Sequence, residues 1–165
     1  MEDTPDIDRW AGIFRQPWAG VMRLGVTGAQ EYQPQYSVEA ARAEGIATLL
    51  LNLDFTNDEK RPLLVNFVQY GIDRYSLIRN GGLPDRWKAV GGHGNGNKWG
   101  ITFAGIMLGD EKMSHLNKNY PDIKFGQDMQ TAFVKDMPEG MRTCWNGSDV
   151  TYTGMFGMWK GKPTG

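Results

Sequence analysis

The sequence predicts a mainly helical domain built from two antiparallel helical hairpins and followed by an irregular tail. Two stretches between residues 38 and 79 repeat apolar residues every three or four positions, as one face of an α-helix requires. Two further helical stretches follow a glycine-rich segment near residue 90, and a short junction separates the members of each pair. The 165 residues are enough for one domain with one core.

The first hairpin follows a lead-in, residues 1–36, that we expect to be irregular because it contains three prolines and no clean periodicity. A helix is predicted over 38–53, with Ser37 as its N-cap and Glu39 in the first turn. The apolar positions near helical spacing in this stretch are Val38, Ala41, Gly45, Leu49 and Leu53.

The second helix is predicted over 57–79. Thr56 and Glu59 have the spacing of a capping box, in which each side chain bonds a backbone N–H of the other residue. Pro62 lies near the first turn, where a missing N–H costs little, and the glycine pair 81–82 predicts a left-handed C-cap. The apolar positions of this helix are Leu64, Phe67, Val68, Ile72, Tyr75 and Ile78.

The second hairpin is predicted to contain one helix near 98–108 and a short one near 110–119, which completes a helical domain over 37–120. Beyond it, residues 121–165 are rich in glycine, methionine and tryptophan. They contain two strand-like pieces, TAFVK and VTYTG. We therefore expect a loop-and-strand extension over 121–165.

Composition excludes several classes of function. A net charge of -1 gives no overall field that attracts nucleic acid, and no apolar run approaches the ~20 residues that span a membrane. The N-terminus lacks the basic and apolar regions of an export signal. Cys144 is the only cysteine and the two histidines form no HExxH pattern, so the sequence predicts no internal disulfide, no metal site and no cofactor.

The glycine-rich loop VGGHGNGNKWG, residues 90–100, has two interpretations. A phosphate-binding loop requires a lysine directly after its last glycine and then a hydroxyl, whereas here Asn97 precedes Lys98 and Trp99 follows it. The dinucleotide-binding pattern also fails, since Asn97 stands where the third glycine belongs. The second interpretation is a rim loop that presents polar side chains and Trp99 to a polar ligand such as a sugar chain.

Three segments, YGIDRYSLIRNGG, GGHGNGNKWGITFAGIMLGDEKM and FGQDMQTAFV, resemble bacterial polysaccharide-degrading proteins of the helical (α/α) toroid kind, which include polysaccharide lyases and six-hairpin glycosidases. The resemblance covers roughly residues 36–135. It departs from the family pattern at Asn97, where the family has arginine, and at Gly100, where it has proline. The matching positions are Tyr70, Gly71, Ile72, Asp73, Tyr75, Gly91, Gly92, His93, Gly94, Gly96, Lys98 and Trp99.

The resemblance implies an incomplete (α/α) toroid, as a fragment or a shortened member of the family, because a closed toroid has about a dozen helices. It also implies recognition and cleavage of a polysaccharide, by β-elimination of a uronic-acid-containing glycan or by hydrolysis. Elimination requires a group that neutralises the carboxylate, a base that takes the C5 proton and an acid that protonates the leaving oxygen. The candidate catalytic residues are His93, Tyr70 and Tyr75, and the candidate substrate-binding residues are Asn95, Asn97, Lys98, Trp99 and Trp87.

Each candidate also has a structural interpretation: His93 as an anchor of its loop, Lys98 as a solvated lysine, Trp99 as a core anchor and the helix tyrosines as packing residues. The competing function is a non-enzymatic remnant that binds glycans or another protein. The expected partner is a polysaccharide, with neither nucleic acid nor membrane, and with either a homo-oligomer or flanking helices completing the scaffold. The resembled family is typically secreted or periplasmic, although no signal peptide is seen here.

Overall fold

The computed structural model describes residues 6–15, 37–81, 87, 96–125 and 128, and the backbone of 131–132 and 152–153. This part of the chain is mainly helical, as the sequence predicts. Its helices are α1 (Ile7–Phe14), α2 (Ser37–Asn52), α3 (Asn57–Arg79), α4 (Trp99–Leu108), α5 (Glu111–Ser114) and α6 (Leu116–Asn119). Two strands of two residues each, β1 (Thr131–Ala132) and β2 (Tyr152–Thr153), pair antiparallel.

Helices α2 and α3 occupy the spans that the sequence predicts, to within one residue at each end. The capping box at the start of α3 is present: the Glu59 backbone N–H donates to the Thr56 hydroxyl at 3.3 Å, and the Thr56 N–H donates to the Glu59 carboxylate at 2.8 Å. The Thr56 hydroxyl also donates to the Glu59 carboxylate at 2.6 Å, and this bond, together with the one from the Thr56 N–H, lowers the pKa of Glu59. At the other end, Gly81 has φ 72°, which confirms a left-handed residue after the helix.

The lead-in contains a helix that the sequence analysis missed. Asp6 caps α1 by accepting hydrogen bonds from the backbone N–H groups of Asp8 and Arg9 at 3.0 and 3.1 Å. The helix packs on α3, where the Asn66 amide donates to the Ala11 carbonyl at 2.8 Å. The expectation of an irregular lead-in over 1–36 is therefore wrong for residues 7–14, because a local cap and tertiary packing stabilise eight helical residues there.

Helices α3 and α4 approach closely because glycines face each other. A Cβ on Gly71 would overlap the Gly100 carbonyl oxygen and would lie 2.5 Å from the Ala104 Cβ. A Cβ on Gly100 would overlap the Tyr70 ring. The glycine-rich segment therefore ends in a helix whose first turn lies directly against α3.

The predicted helix near 110–119 is divided in two at His115, which separates α5 from α6. Gly109, with φ 67°, ends α4, and Asp110 then caps α5 by accepting from the N–H groups of Lys112 and Met113. The short helices fold back on α4, where a Cβ on Gly105 would overlap the backbone of α5.

The core consists of two clusters that contact α3 at different positions along its length. The first contains residues of α1, α2 and the N-terminal half of α3, among them Phe14, Leu50 and Phe67. The second contains Tyr75 and Ile78 at the end of α3, together with Trp87, Ile101, Ala104, Met113, Leu116 and Phe125.

The buried face of α2 differs from the one that its apolar positions suggest. The helix buries Ala40, Ala43, Glu44, Ala47 and Leu50, whereas Leu49 is 67% exposed and Leu53 is 44% exposed. Small alanines face the core because α2 packs closely on its neighbours, and two leucines are left at the surface.

Most of the predicted extension over 121–165 lies outside the described residues. In the described part of the chain, no helix has the length and apolar character that crossing a membrane requires.

Candidate functional site

A cluster of four polar side chains lies buried where α2, α3 and the start of α4 meet. Glu44 comes from α2, Tyr70 and Arg74 come from successive turns of α3, and Asn97 lies two residues before α4. Glu44, Arg74 and Asn97 are each 1% exposed and Tyr70 is 2% exposed. Burial of a glutamate and an arginine in a 165-residue chain is costly, so each requires specific partners.

The cluster is joined by two hydrogen bonds and a ring contact. The Tyr70 hydroxyl donates to Glu44 Oε1 at 2.5 Å, and Arg74 Nη1 donates to Asn97 Oδ1. The Arg74 guanidinium lies over the Tyr70 ring, 4.7 Å from its centroid. Three buried atoms have no hydrogen-bond partner within the described structure: Glu44 Oε2, Arg74 Nε and Arg74 Nη2.

The surroundings of Glu44 raise its pKa from 4.5 to about 7. Removal from water is the dominant cause, because burial disfavours the charged carboxylate. The positive charge of Arg74, the hydrogen bond from Tyr70 and the backbone N–H of Gly100 act in the opposite direction. Burial likewise raises the pKa of Tyr70 well above 10, so its hydroxyl stays protonated and donates. At neutral pH the cluster thus contains one carboxyl that can either hold or release a proton.

The segment before α4 is held in this cluster by its backbone. Gly96 has φ 73°, a conformation that side chains disfavour, and a Cβ there would overlap the backbone of Ala41 in α2. The next residue, Asn97, then bonds to Arg74 of α3. The end of the glycine-rich loop is consequently fixed to two helices.

Lys98 and Trp99 lie at the edge of the cluster and are accessible to solvent. The Lys98 ammonium is 2.7 Å from the Asp128 carboxylate, and its side chain is 24% exposed. Trp99 is 39% exposed, and its indole N–H donates to the Thr48 hydroxyl at 2.8 Å. Among the predicted binding residues that the structure describes, these two reach the surface.

The other predicted residues are distributed over separate places. Tyr75 is 7% exposed, belongs to the second core cluster and has its hydroxyl 2.7 Å from that of Tyr120. Burial and this bond raise the pKa of Tyr75 to about 12. Trp87 is fully buried, with its ring centroid 5.5 Å from that of Phe125. The structure therefore places Tyr75 and Trp87 in the second core cluster and Tyr70 in the first.

His93 and Asn95 lie outside the described residues. Conversely, sequence reasoning did not select Glu44 or Arg74, although a signal was present for the first. Glu44 stands among Ala40, Ala43 and Ala47 at helical spacing, so an acidic residue shares the small-residue face of α2. Arg74 gives no such signal, because its hydrogen-bond partner Asn97 lies outside α3, 23 residues later in the chain.

No group of three or more metal-binding side chains occurs among the residues that the structure describes. Comparisons of the chain with models of known protein families, with curated proteins and with solved structures give no match.

Proposed function

We propose that this chain recognises and cleaves a uronic-acid-containing polysaccharide by β-elimination, as a fragment or shortened member of an (α/α) toroid scaffold. In this proposal α2 and α3 form one hairpin of the scaffold, and α4 with the short helices forms the next. The observation that carries it is the buried cluster, because it joins the first two of the three segments that carry the resemblance. Tyr70 belongs to the first segment and Asn97 to the second, and both enter one polar network.

The network supports a division of roles. Tyr70 and Asn97 are nearly fully buried and have partners inside the protein, so they position the loop and do not themselves contact a polymer. Lys98 and Trp99 are accessible and provide a cation and an aromatic face for an acidic sugar. Asn97 stands where the family pattern has an arginine, and in this chain it accepts a hydrogen bond from Arg74.

The proposed reaction assigns the base to His93. His93 takes the C5 proton of the uronate, the electron pair forms a C4–C5 double bond, and the C4–oxygen bond breaks. The leaving oxygen receives a proton from water, and the Lys98 ammonium neutralises the charge of the substrate carboxylate. The sequence also predicts Tyr75 as a candidate acid. Its hydroxyl, however, is hydrogen-bonded to the hydroxyl of Tyr120 in the structure.

The chain carries its own matched control, since it has two histidines. Alginate, glucuronan and a heparin-like polymer are incubated with the protein, and the ultraviolet absorbance of unsaturated uronate products is followed. His93→Ala should lower the rate by about 100-fold or more, as expected for loss of a general base. His115→Ala, at an exposed residue between α5 and α6, should leave it unchanged. Equal rates for both variants would exclude His93 as the base.

A non-enzymatic remnant is the second candidate, and a separate observation favours it. Large apolar side chains are exposed on the described helices, including Ile106, Met107 and Leu108 at the end of α4. Exposed apolar side chains at one end of a helix can contribute to a binding interface. Glycan binding without release of unsaturated products, measured by calorimetry on the same polymers, would favour this function over the enzymatic one.

A further inference from the structure

Helix α2 and the start of α4 meet along a seam, defined here as Glu44 and Thr48 on α2 with Trp99 and Gly100 on α4. Glu44 and Thr48 are four residues apart and lie on the same face of α2. The Trp99 indole N–H donates to the Thr48 hydroxyl, and the Gly100 N–H lies against the Glu44 carboxyl. The Thr48 hydroxyl also donates to the Glu44 backbone carbonyl at 2.8 Å, which fixes the orientation of this hydroxyl on α2.

The carboxyl in this seam is incompletely satisfied. Oε1 accepts the Tyr70 hydroxyl, but Oε2 has no hydrogen-bond partner within the described structure and the residue is 1% exposed. A neutral carboxyl tolerates such a site better than a carboxylate, because an ion with an unpartnered buried oxygen loses its hydration without replacement.

The groups that face this carboxyl come from the helices packed around it. Helix α3 contributes the positive charge of Arg74 and the hydroxyl of Tyr70, and α4 contributes the Gly100 N–H. Helix α1 contributes an aromatic ring and no charged group near the Glu44 carboxyl. The centroid of its Phe14 ring lies 5.3 Å from that of the Tyr70 ring. Arg74 directs Nη1 to Asn97, which limits its contact with Glu44. Desolvation therefore prevails over these favourable interactions.

We propose that the seam between α2 and α4 is a pH-dependent joint, closed when Glu44 is protonated and opened by water when Glu44 ionises. In the closed form the carboxyl is dry and both seam contacts are made. In the open form water reaches Oε2 and hydrates the carboxylate. This inference concerns the conformation of the chain and does not depend on the proposed glycan chemistry.

The pH range of the joint follows from linkage. The closed form holds its proton with a pKa of about 7, whereas a hydrated glutamate has one of 4.5. Closing is therefore favoured below pH 4.5 and becomes less favourable as the pH rises to about 7. If the open form has an ordinary pKa, the ratio of open to closed molecules rises by up to about 300-fold across this range.

The test is an NMR titration of the intact chain between pH 4 and 8. The Glu44 side-chain carboxyl ¹³C signal should titrate with a midpoint well above 4.5 and no higher than about 7, because opening stabilises the ionised form. The Trp99 indole N–H signal should shift with the same midpoint, since its acceptor Thr48 lies across the seam. Amide exchange at Gly100, corrected for the intrinsic effect of pH, should accelerate over the same range.

Glu44→Gln should abolish the Trp99 shift and the accelerated exchange, because glutamine has no charge to hydrate. Glu111→Gln, at an exposed residue of α5, should leave both unchanged. An ordinary Glu44 midpoint in the wild-type chain would overturn the proposal, and so would a Trp99 signal that does not follow Glu44. Both observations are made on the wild-type protein, so they decide the matter even where Glu44→Gln fails to fold.

Discussion

At the scale of single residues, the protonation of Glu44 should control how stability depends on pH. Its pKa is about 7 in the folded chain and 4.5 when exposed to water. The folded chain therefore keeps a proton that the unfolded chain releases between these values. The resulting stability is fully present below pH 4.5 and is lost as the pH rises to about 7.

The expected loss in the free energy of unfolding is at most about 3 kcal/mol, since one pKa unit corresponds to about 1.4 kcal/mol and opening of the joint recovers part of it. Urea unfolding at a series of pH values, followed by circular dichroism, measures it. Glu44→Gln should flatten the profile between pH 4.5 and 7. A wild-type profile that rises with pH through this window would contradict the assignment of Glu44 as a buried neutral acid.

Arg74 should hold the pKa of Glu44 below the value that burial alone would give. Arg74→Met removes the charge but retains apolar bulk, so we expect the pKa of Glu44 to rise above 7. Arg74→Lys retains a charge and should raise it less. Carboxyl ¹³C titration compares the three proteins, and a Glu44 pKa that stays constant among them would show that the guanidinium does not act on this carboxyl.

The sequence could identify some of the polar residues that belong to the site, but it could not show which of them are buried and which reach the surface. Asn97 was predicted as a donor to a sugar, yet it is buried and accepts from Arg74. The cause is the conformation of Gly96 and its close approach to Ala41, which the sequence does not encode in any local pattern. Lys98 and Trp99, one and two residues later, do reach the surface.

At the scale of elements, the contact between α3 and α4 should tolerate no side chain at Gly71. Its Cβ would overlap the Gly100 carbonyl oxygen, which is backbone and cannot move aside without displacing α4. We expect Gly71→Ala to lower the free energy of unfolding by about 1–3 kcal/mol, as overpacking does.

Gly45→Ala provides the matched control, because Gly45 lies inside α2 with no atom within 4 Å of its Cβ position. It should stabilise the chain by about 0.5–1 kcal/mol, the usual gain of alanine over glycine inside a helix. Thermal and urea unfolding of both variants measure the difference. Equal effects at the two positions would mean that α3 and α4 are not in close contact.

Helices with local signals were predictable, whereas those that depend on tertiary contacts were not. The Thr56–Glu59 capping box and Gly81 defined both ends of α3 because their interactions lie within a few residues. Helix α1 was missed because it has eight residues and depends on packing against α3. The buried face of α2 was misassigned because leucine is more apolar than alanine, whereas close packing favours the smaller side chain.

At the scale of the whole molecule, α3 connects two core clusters. Tyr70 belongs to one cluster and Tyr75 to the other, although the residues are five positions apart on the same helix. The first cluster is bounded by α1 and α2, and the second by the end of α3 and the short helices. The buried polar cluster lies beside the first of these, at the close contact of α3 with α4.

The end of α4 should mediate association between copies of this chain. Ile106, Met107 and Leu108 are 50–55% exposed and adjacent in sequence, and burying the exposed half of each side chain contributes about 1 kcal/mol. We expect sedimentation velocity to show a mass that increases with protein concentration. The double variant Ile106→Lys, Met107→Lys should weaken association by about tenfold or more, because it places two charges in the interface.

Asn117→Lys is the control for added charge, since Asn117 is exposed on the neighbouring helix α6. It should leave association unchanged, and circular dichroism should show the same helix content in all three proteins, because lysine is favourable near the end of a helix. If the wild-type chain stays monomeric at every concentration, these side chains are not an interface between copies. If instead both variants weaken association equally, net charge and not the apolar surface controls it.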